Sequence, residues 1–272
     1  MSSYTYNDYL KNQLQQAADA GYKTVNGISM YYEIYGSGDL PLVLIHGGGS
    51  TIYTTFSKIL PMLAVKIKVI AVELQAHGHT QDRDAPLSFE QDADDVAALM
   101  RALDVSNADF FGFSNGASTA MQIAIRHPQL ARKLVLASGF YKRSGMFEGF
   151  WNFMESTGPE GMPKQLQEAY LAVSVTPENL MHMSGKCATR MLTFKDWSDD
   201  ALRSIKAPSF IISAAEDVMT PEHAVEMYRL IPDAKLAILP GLHGEYMGEI
   251  TVDKGSVMPE LVVEMVEEFL EG

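Results

Sequence analysis

A serine lies between two glycines at the point where an apolar run gives way to a helical pattern. The segment reads FFGFSNGAST over residues 110–119, and Gly112, Ser114 and Gly116 have the spacing G-x-S-x-G. This spacing fits a sharp strand-to-helix turn, because larger side chains at the two glycines would collide with the strand or the helix. The N-terminus of the following helix would favour negative charge above the turn. The pattern predicts nucleophilic attack by Ser114, and the alternative is a tight turn with an incidental serine.

A serine nucleophile needs a base, and the base needs an acid that orients it. His243 follows the apolar run KLAILPG, and Asp217 closes the run PSFIISAAED. Both runs predict strands, so both side chains are expected at strand ends, where sheets of this kind carry their sites. The chain order Ser, Asp, His is one of three known for this geometry. Glu216 is the alternative acid, but adjacent residues of an extended segment point in opposite directions, and Asp217 is favoured.

Three glycines follow another apolar run in the segment LIHGGGS. The backbone there can approach a substrate closely, and the N–H groups of Gly48 and Asn115 would together form an oxyanion hole. His46, which precedes the glycines, is expected to orient the loop rather than to react. The alternative is a phosphate-binding loop, but the segment lacks both the Lys-Ser/Thr ending and the G-x-G-x-x-G spacing.

The segments around these motifs alternate between strand-like and helix-like patterns. Strand-like segments occupy 41–50, 68–75, 108–114, 133–140, 208–217 and 235–241, and helix-like segments occupy 52–63, 88–104, 115–128, a stretch from Pro221, and 258–272. Asn26-Gly27 predicts a hairpin turn, Ser88 and Gln91 have capping-box spacing, and residues 4–20 predict a short amphipathic helix. Strict alternation predicts βαβ units and a mostly parallel sheet that is covered on both faces.

Residues 141–200 break this alternation. They contain no clear strand, are rich in methionine and aromatic residues, and have helix-like patterns near 146–156 and 163–174. We expect a helical cap whose apolar side chains line a small-molecule pocket, and the alternative is a set of surface helices packed on the body. The predicted domains are a core of residues 1–140 and 201–272 and a cap of residues 141–200.

Four motifs in this order resemble the α/β-hydrolase family, specifically its single-domain type with a helical cap after the sixth strand. The motifs are HGGG at 46–49, GFSNG at 112–116, EDVMTP at 216–221 and PGLHG at 240–244, and the resemblance covers nearly the whole chain. It implies an α/β fold with a doubly wound, mostly parallel eight-stranded sheet.

The resemblance also implies a role for each site residue. Ser114 would be the nucleophile, Asp217 the acid, and His243 the general base and then the general acid, while Gly48 and Asn115 would donate to the oxyanion. Relatives with a nucleophilic aspartate are excluded by the serine. One loop departs from the family, because VELQAHGHT has Glu73 and Gln75 where many relatives carry Asp and Arg.

Composition limits the remaining function classes. The net charge of −13 argues against nucleic acid or an anionic membrane as a partner, because phosphate contacts need clustered Lys and Arg. Cys187 is the single cysteine, so an intrachain disulfide is excluded, and we interpret it as structural. His77 and His79 lack a third ligand for a metal, and no cofactor is expected. The sequence shows neither a signal peptide nor a transmembrane run, which predicts a cytoplasmic location.

The sequence therefore predicts a carboxylesterase that cleaves small to medium esters through an acyl-enzyme on Ser114. Its partner would be a small-molecule ester. The alternatives use the same three residues on another bond, as a C–C bond hydrolase, an amidase or peptidase, or an acyltransferase. A less expected alternative is a non-catalytic ligand-binding member of the fold, against which the intact Ser, Asp and His argue.

Overall fold

An eight-stranded sheet runs through the computed structural model, which describes residues 17–272. Its strands are β1 (Asp19–Val25), β2 (Ile28–Tyr35), β3 (Leu42–Ile45), β4 (Val69–Val72), β5 (Ala108–Phe113), β6 (Ala131–Ala137), β7 (Ser209–Glu216) and β8 (Ala234–Leu242). Their spatial order is β1-β2-β4-β3-β5-β6-β7-β8. β1 and β2 pair with their neighbours antiparallel, and β3 to β8 pair in parallel. The prediction of a mostly parallel, doubly wound sheet is confirmed.

Helices cover both faces of this sheet. They are α1 (Ile52–Phe56), α2 (Leu60–Leu63), α3 (Phe89–Ala102), α4 (Asn115–Arg126), α5 (Phe150–Thr157), α6 (Lys164–Val173), α7 (Leu180–Leu192), α8 (Asp199–Arg203), α9 (Pro221–Leu230) and α10 (Met258–Glu271). One face is covered by α3, α4 and α9, and the other by α1, α2 and α10. Among residues 17–272, no helix is both long and apolar enough to cross a membrane.

Alternate residues of the central strands enter two separate apolar cores. Phe110 of β5 packs in the core under α3 and α4, and Phe111 packs in the core under α10. Val43 and Leu44 of β3 divide in the same way, and all four side chains are fully buried. Both faces of these strands therefore need apolar residues, which explains their unbroken apolar runs.

Two predicted helices differ in the structure. Residues 52–63 form the two short helices α1 and α2 instead of one. Pro61 explains the break, because it has no N–H to donate to the carbonyl of Ser57. The helix predicted over residues 4–20 lies mostly outside the described residues, since residues 1–16 are not among them, and its last two residues begin β1.

The predicted capping box at the start of α3 is half formed. Ser88 accepts a hydrogen bond from the Gln91 N–H at 3.1 Å, so the helix begins at the predicted residue. The Gln91 side chain does not return to Ser88 but donates to Asp95 at 2.9 Å. A reciprocal box forms at α1 instead, between Thr51 and Thr54.

The helices α5, α6 and α7 lie between β6 and β7, where the sequence predicts a helical cap. Part of their apolar surface packs on the body of the protein, in a cluster that contains Met146, Phe150, Met191 and Phe194. Packing therefore accounts for part of the methionine and aromatic content of this segment. The domain boundaries at residues 141 and 200 stay a prediction.

A buried ion pair ties α7 to α3. Arg190 Nη1 donates to Asp92 Oδ2 at 2.7 Å, and the two side chains are 3% and 1% exposed. Arg190 also lies over the ring of Phe89, with its guanidinium carbon 4.9 Å from the ring centroid. Burial raises the pKa of Asp92 although the Arg190 charge lowers it. The ion pair therefore compensates only part of the cost of burying its charges.

We expect Asp92→Asn to destabilise the protein by about 3–5 kcal/mol, because Arg190 would keep a buried charge without a counter-charge. The double replacement Asp92→Leu with Arg190→Met removes both charges, and we expect it to restore most of this loss. Urea unfolding of the wild type and both variants measures the difference. A single variant as stable as the wild type would show that the pair carries no such penalty.

Candidate active site

Ser114 lies at the turn between β5 and α4, and its backbone is strained. Its φ of 54° and ψ of −119° lie where non-glycine residues are rare. Its N–H donates to the Ala137 carbonyl at 2.8 Å, which holds the residue in place. A Cβ on Gly112 would collide with the Gly116 backbone, and a Cβ on Gly116 would collide with the Ile45 carbonyl. The turn therefore has the sharp geometry that the glycine spacing predicts.

Asp217 and His243 follow the neighbouring parallel strands β7 and β8, so their side chains meet at one edge of the sheet. His243 Nδ1 donates to Asp217 Oδ1 at 2.5 Å. The His243 ring packs on Phe113, directly before Ser114, with ring centroids 4.7 Å apart. Glu216, the alternative acid, is exposed at the end of β7. The structure thus brings the predicted acid and base together.

The hydrogen bond between Ser114 and His243 is not formed. Within residues 17–272, the Ser114 hydroxyl has no hydrogen-bond partner. Catalytic hydrogen bonds are often long in unliganded sites and tighten when substrate binds. The structure pairs the acid with the base and packs the His243 ring on Phe113, the residue before Ser114, and the complete triad stays a prediction.

The acid and the base shift each other's pKa. Burial lowers the pKa of His243, but the charge and hydrogen bond of Asp217, with a contribution from Glu249, outweigh it and leave the pKa raised. Burial raises the pKa of Asp217, but His243 and the Ser138 hydroxyl outweigh it and leave that pKa lowered. Asp217 is therefore ionised at neutral pH, and His243 is a stronger base than a free imidazole.

Ser138 binds the second oxygen of Asp217 and is itself bound by Tyr246, and no sequence pattern identified either residue. Ser138 Oγ donates to Asp217 Oδ2 at 2.5 Å and lies 2.7 Å from the hydroxyl of the fully buried Tyr246. Because Asp217 is ionised, Ser138 donates to it and accepts from Tyr246. Ser138 has a φ of 52° and follows β6 as Ser114 follows β5. Its place after a strand was the one available signal.

We expect Ser138→Ala to lower kcat by about tenfold, because hydrogen bonds to charged groups contribute about 1.5–3 kcal/mol. KM should change little, since Ser138 acts through Asp217 and does not line the cavity described below. Ser138→Gly is the control for backbone strain, because it also lacks the hydroxyl but accepts the positive φ. Steady-state kinetics on an ester substrate measure both. Wild-type kcat in both variants would show that the hydroxyl does not position the acid.

The glycine loop after β3 lies against the N-terminus of α4. Gly48 packs so closely on the Asn115 side chain that a Cβ at Gly48 would collide with it. Within the described part of the chain, neither the Gly48 N–H nor the Asn115 N–H donates a hydrogen bond. Free N–H groups beside a helix N-terminus can stabilise an oxyanion. The predicted donors are thus brought together and unoccupied by protein groups.

Two buried histidines hold this glycine loop. His77 Nε2 accepts from the Gly49 N–H at 3.0 Å, and its Nδ1 donates to a backbone carbonyl at 2.8 Å. His46 Nδ1 donates to the Gly47 carbonyl at 2.7 Å, and its Nε2 accepts from a backbone N–H at 3.0 Å. Burial lowers the pKa of His46 to about 3 and of His77 to about 4. Both rings are neutral at pH 7 and orient the loop.

The loop after β4 has its own anchors in place of the family's Asp and Arg. Glu73 is buried and accepts from the His79 N–H at 2.6 Å and from its Nδ1 at 3.0 Å. It also accepts from the Ile52 N–H at 3.4 Å, which ties the loop to the start of α1. Gln75 donates to Asp82 at 2.8 Å. The predicted difference in loop anchoring thus takes the form of a buried carboxylate.

A cavity of about 300 Å³ opens beside Gly48 and Asn115 and extends under the predicted cap. Its apolar lining includes Phe153, Met154, Met162, Leu166 and Met191. Cys187, interpreted from sequence as structural, also lines it and lies with its Sγ 3.3 Å from His77 Nε2. Of the five predicted site residues, Gly48 and Asn115 line this cavity, and none lines a larger cavity of about 610 Å³ between residues 84–87 and α7.

No group of three or more His, Cys, Asp or Glu side chains in residues 17–272 has the arrangement of a metal site. This edge of the sheet holds a strained serine, a paired imidazole and carboxylate, and two N–H groups that, among the described residues, donate no hydrogen bond.

Comparisons with known proteins indicate a hydrolase. The sequence profile of a family described as "alpha/beta hydrolase fold" matches residues 41–181. The human serine hydrolase BPHL is 26% identical over 238 residues, which cover 82% of this chain and 79% of BPHL.

Solved structures show the same fold. The esterase RhEst1 from Rhodococcus sp. ECU1013 has a TM-score of 0.72 at 21% identity, with 94% of this chain and 99% of RhEst1 covered. The meta-cleavage product hydrolase CumD from Pseudomonas fluorescens IP01 also has a TM-score of 0.72, at 20% identity, with 93% and 99% covered. Likeness at this level shows the fold, and one fold hosts many reactions.

Proposed function

Because the chain belongs to the α/β-hydrolase family, we propose that it is a serine hydrolase that cleaves small to medium carboxylic esters. The observation that carries the proposal is the hydrogen bond between His243 and Asp217 at 2.5 Å, with the His243 ring packed on the residue before a serine held on a strained turn. Strain of this kind clusters at functional sites, and an acid that orients an imidazole is what a serine nucleophile requires.

The proposed reaction begins with acylation of the enzyme. Ser114 Oγ attacks the ester carbonyl, while His243 Nε2 takes the hydroxyl proton. Asp217 keeps the Nδ1–H tautomer of the ring and stabilises the imidazolium that forms. The tetrahedral oxyanion accepts hydrogen bonds from the N–H groups of Gly48 and Asn115. His243 then gives its proton to the alkoxide oxygen as the C–O bond breaks, and the alcohol leaves.

Deacylation repeats these steps with water as the nucleophile. His243 removes a proton from the water as its oxygen attacks the acyl carbon. The second tetrahedral intermediate uses the same two N–H groups, and its collapse returns the proton to Ser114 and releases the carboxylic acid. No cofactor enters either half of this mechanism.

The cavity limits the size and polarity of the substrate. A volume of about 300 Å³ is at the lower end of small-molecule sites, and apolar side chains favour acyl or alcohol groups without charge. This supports the prediction of a small to medium ester as the substrate.

Two assays test the proposal. p-Nitrophenyl esters of graded acyl length should be hydrolysed, with rates that fall once the acyl group exceeds the cavity. A fluorophosphonate should label the wild type with one equivalent and leave Ser114→Ala unlabelled. An unlabelled wild type that hydrolyses no ester of the series would refute the proposal.

Hydrolysis of a C–C bond in a ring-cleavage product is the second candidate. The fold that the chain shares with CumD motivates it, and the same three residues would act. Turnover of a vinylogous 1,5-diketone and of p-nitrophenyl butyrate, measured on one enzyme preparation, separates the two. If the diketone is turned over faster than the ester by orders of magnitude, the substrate class is the diketone and not the ester.

A further inference from the structure

The cavity beside the glycine loop contains one carboxamide without a partner. Asn115 lines this cavity and is only 5% exposed, yet within residues 17–272 its side chain makes no hydrogen bond. Buried polar groups are almost always satisfied by protein, water or ligand. The Asn115 carboxamide faces a mostly apolar cavity, where water or a ligand can supply its partner, and a substrate that enters the cavity would meet it there.

The position of this carboxamide says which part of the ligand it would meet. Asn115 Nδ2 is in close contact with the backbone of Gly48. The carboxamide therefore lies against Gly48, and the proposed mechanism assigns the backbone N–H groups of Gly48 and of Asn115 itself to the oxyanion. A substrate group that reaches it is attached close to the reacting carbonyl, on the acyl side.

A second unpartnered donor approaches the same backbone. Arg190 Nη2 lies 3.6 Å from the position that a Cβ on Gly48 would occupy, and its Nε and Nη2 are buried without a hydrogen-bond partner in the described structure. Arg190 does not line this cavity and lies behind Gly48, so the Asn115 Nδ2 donor is the group that favours an acceptor oxygen in the ligand. Because Asp92 already balances the guanidinium charge, a neutral oxygen fits better than a carboxylate, which would bring a second buried negative charge.

We propose that the site selects acyl groups with a neutral oxygen acceptor on the carbon next to the scissile carbonyl. The acceptor is a hydroxyl, keto or ether oxygen, and Asn115 Nδ2 donates to it. The remaining acyl atoms contact the apolar lining, such as Met154 and Met191. This inference rests on the proposed ester hydrolysis at Ser114 and names the substrate class of that site.

A matched pair of esters tests it. p-Nitrophenyl methoxyacetate differs from p-nitrophenyl butyrate by one ether oxygen in place of a methylene. This oxygen is at the position to which the carboxamide should donate a hydrogen bond. The value of kcat/KM for each ester is divided by its hydroxide-catalysed rate constant, which removes the difference in intrinsic reactivity. We expect the corrected ratio to favour the methoxyacetate by about five- to tenfold in the wild type, the size of one hydrogen bond.

The Asn115→Leu variant keeps the side-chain size and loses the donor, and Asn115→Ala is a second variant. Both should bring the corrected ratio close to one, and the ratio is independent of the amount of active enzyme. Ser118→Ala is the control, since Ser118 lies on the same helix α4 but does not line the cavity, and it should keep the wild-type ratio.

Two results would overturn the inference: a corrected ratio near one in the wild type, or a preference that survives in both Asn115 variants. The failure of the underlying function looks different. In that case the wild type hydrolyses neither ester and is not labelled by the fluorophosphonate. If both esters are hydrolysed without a preference, the proposed serine hydrolase activity is retained and only the selection by Asn115 is refuted.

Discussion

Replacing Ser114 with alanine will lower kcat for p-nitrophenyl butyrate by about 10⁴–10⁶-fold, the range seen when a triad nucleophile is removed. The reason is that the proposed acyl-enzyme cannot form without the hydroxyl, and only the free N–H groups and binding remain to assist water. KM should change much less than kcat, because the cavity lining is intact. Steady-state kinetics measure the loss, on preparations of the variant that are free of wild-type enzyme.

Ser118→Ala is the matched control for this prediction. Ser118 lies one turn further along α4 and is buried, and its hydroxyl donates to the Phe140 carbonyl at 2.8 Å. Its loss removes a structural hydrogen bond, which costs about 1 kcal/mol of stability, and should leave kcat close to that of the wild type. If Ser114→Ala and Ser118→Ala retain similar activity, the nucleophile has been assigned wrongly.

Asp217→Asn will lower kcat by about 10⁴-fold, as expected when the acid of a triad loses its charge. It should also move the acidic limb of the pH profile of the remaining activity. In the wild type, His243 has a raised pKa and acts only when neutral, so kcat/KM falls as pH drops through a value above the ordinary imidazole pKa. Without the Asp217 charge, burial lowers the pKa of His243, and the limb moves to lower pH.

The neighbouring carboxylate provides the control for Asp217. Glu216→Gln removes one negative charge from an exposed side chain at the end of β7. We expect wild-type kcat and an acidic limb at the wild-type pH. An unshifted limb in Asp217→Asn, or a loss of activity in Glu216→Gln that equals the loss in Asp217→Asn, would contradict the assignment of the acid.

The strands and most helices could be predicted because burial imposes periodicity. Strands with two covered faces are apolar throughout, as in β3 and β5, and a helix that packs on a sheet repeats apolar residues at helical spacing. The turn at Ser114 could be predicted for a steric reason, since a Cβ at Gly112 or Gly116 would collide with the backbone. The pairing of Asp217 with His243 could be predicted because each residue follows a strand of the same parallel sheet.

Features set by tertiary contacts left no such pattern. Ser138 meets Asp217 because β6 ends between β5 and β7, and a single serine after a strand does not predict a left-handed φ. The Asp92 to Arg190 pair joins residues 98 positions apart, so no local spacing reveals it. The role of Asn115 as a side chain was also hidden, because the motif draws attention to its backbone. The cytoplasmic location stays a prediction.

The most direct test of the central claim is to identify the residue that a fluorophosphonate modifies. The wild type is treated with a fluorophosphonate, digested and analysed by peptide mass spectrometry, beside Ser114→Ala and Ser118→Ala treated in the same way. We predict a single adduct on Ser114 in the wild type and in Ser118→Ala, and none in Ser114→Ala. An adduct on any other residue, or equal labelling of Ser114→Ala, would contradict the central claim that Ser114 is the nucleophile.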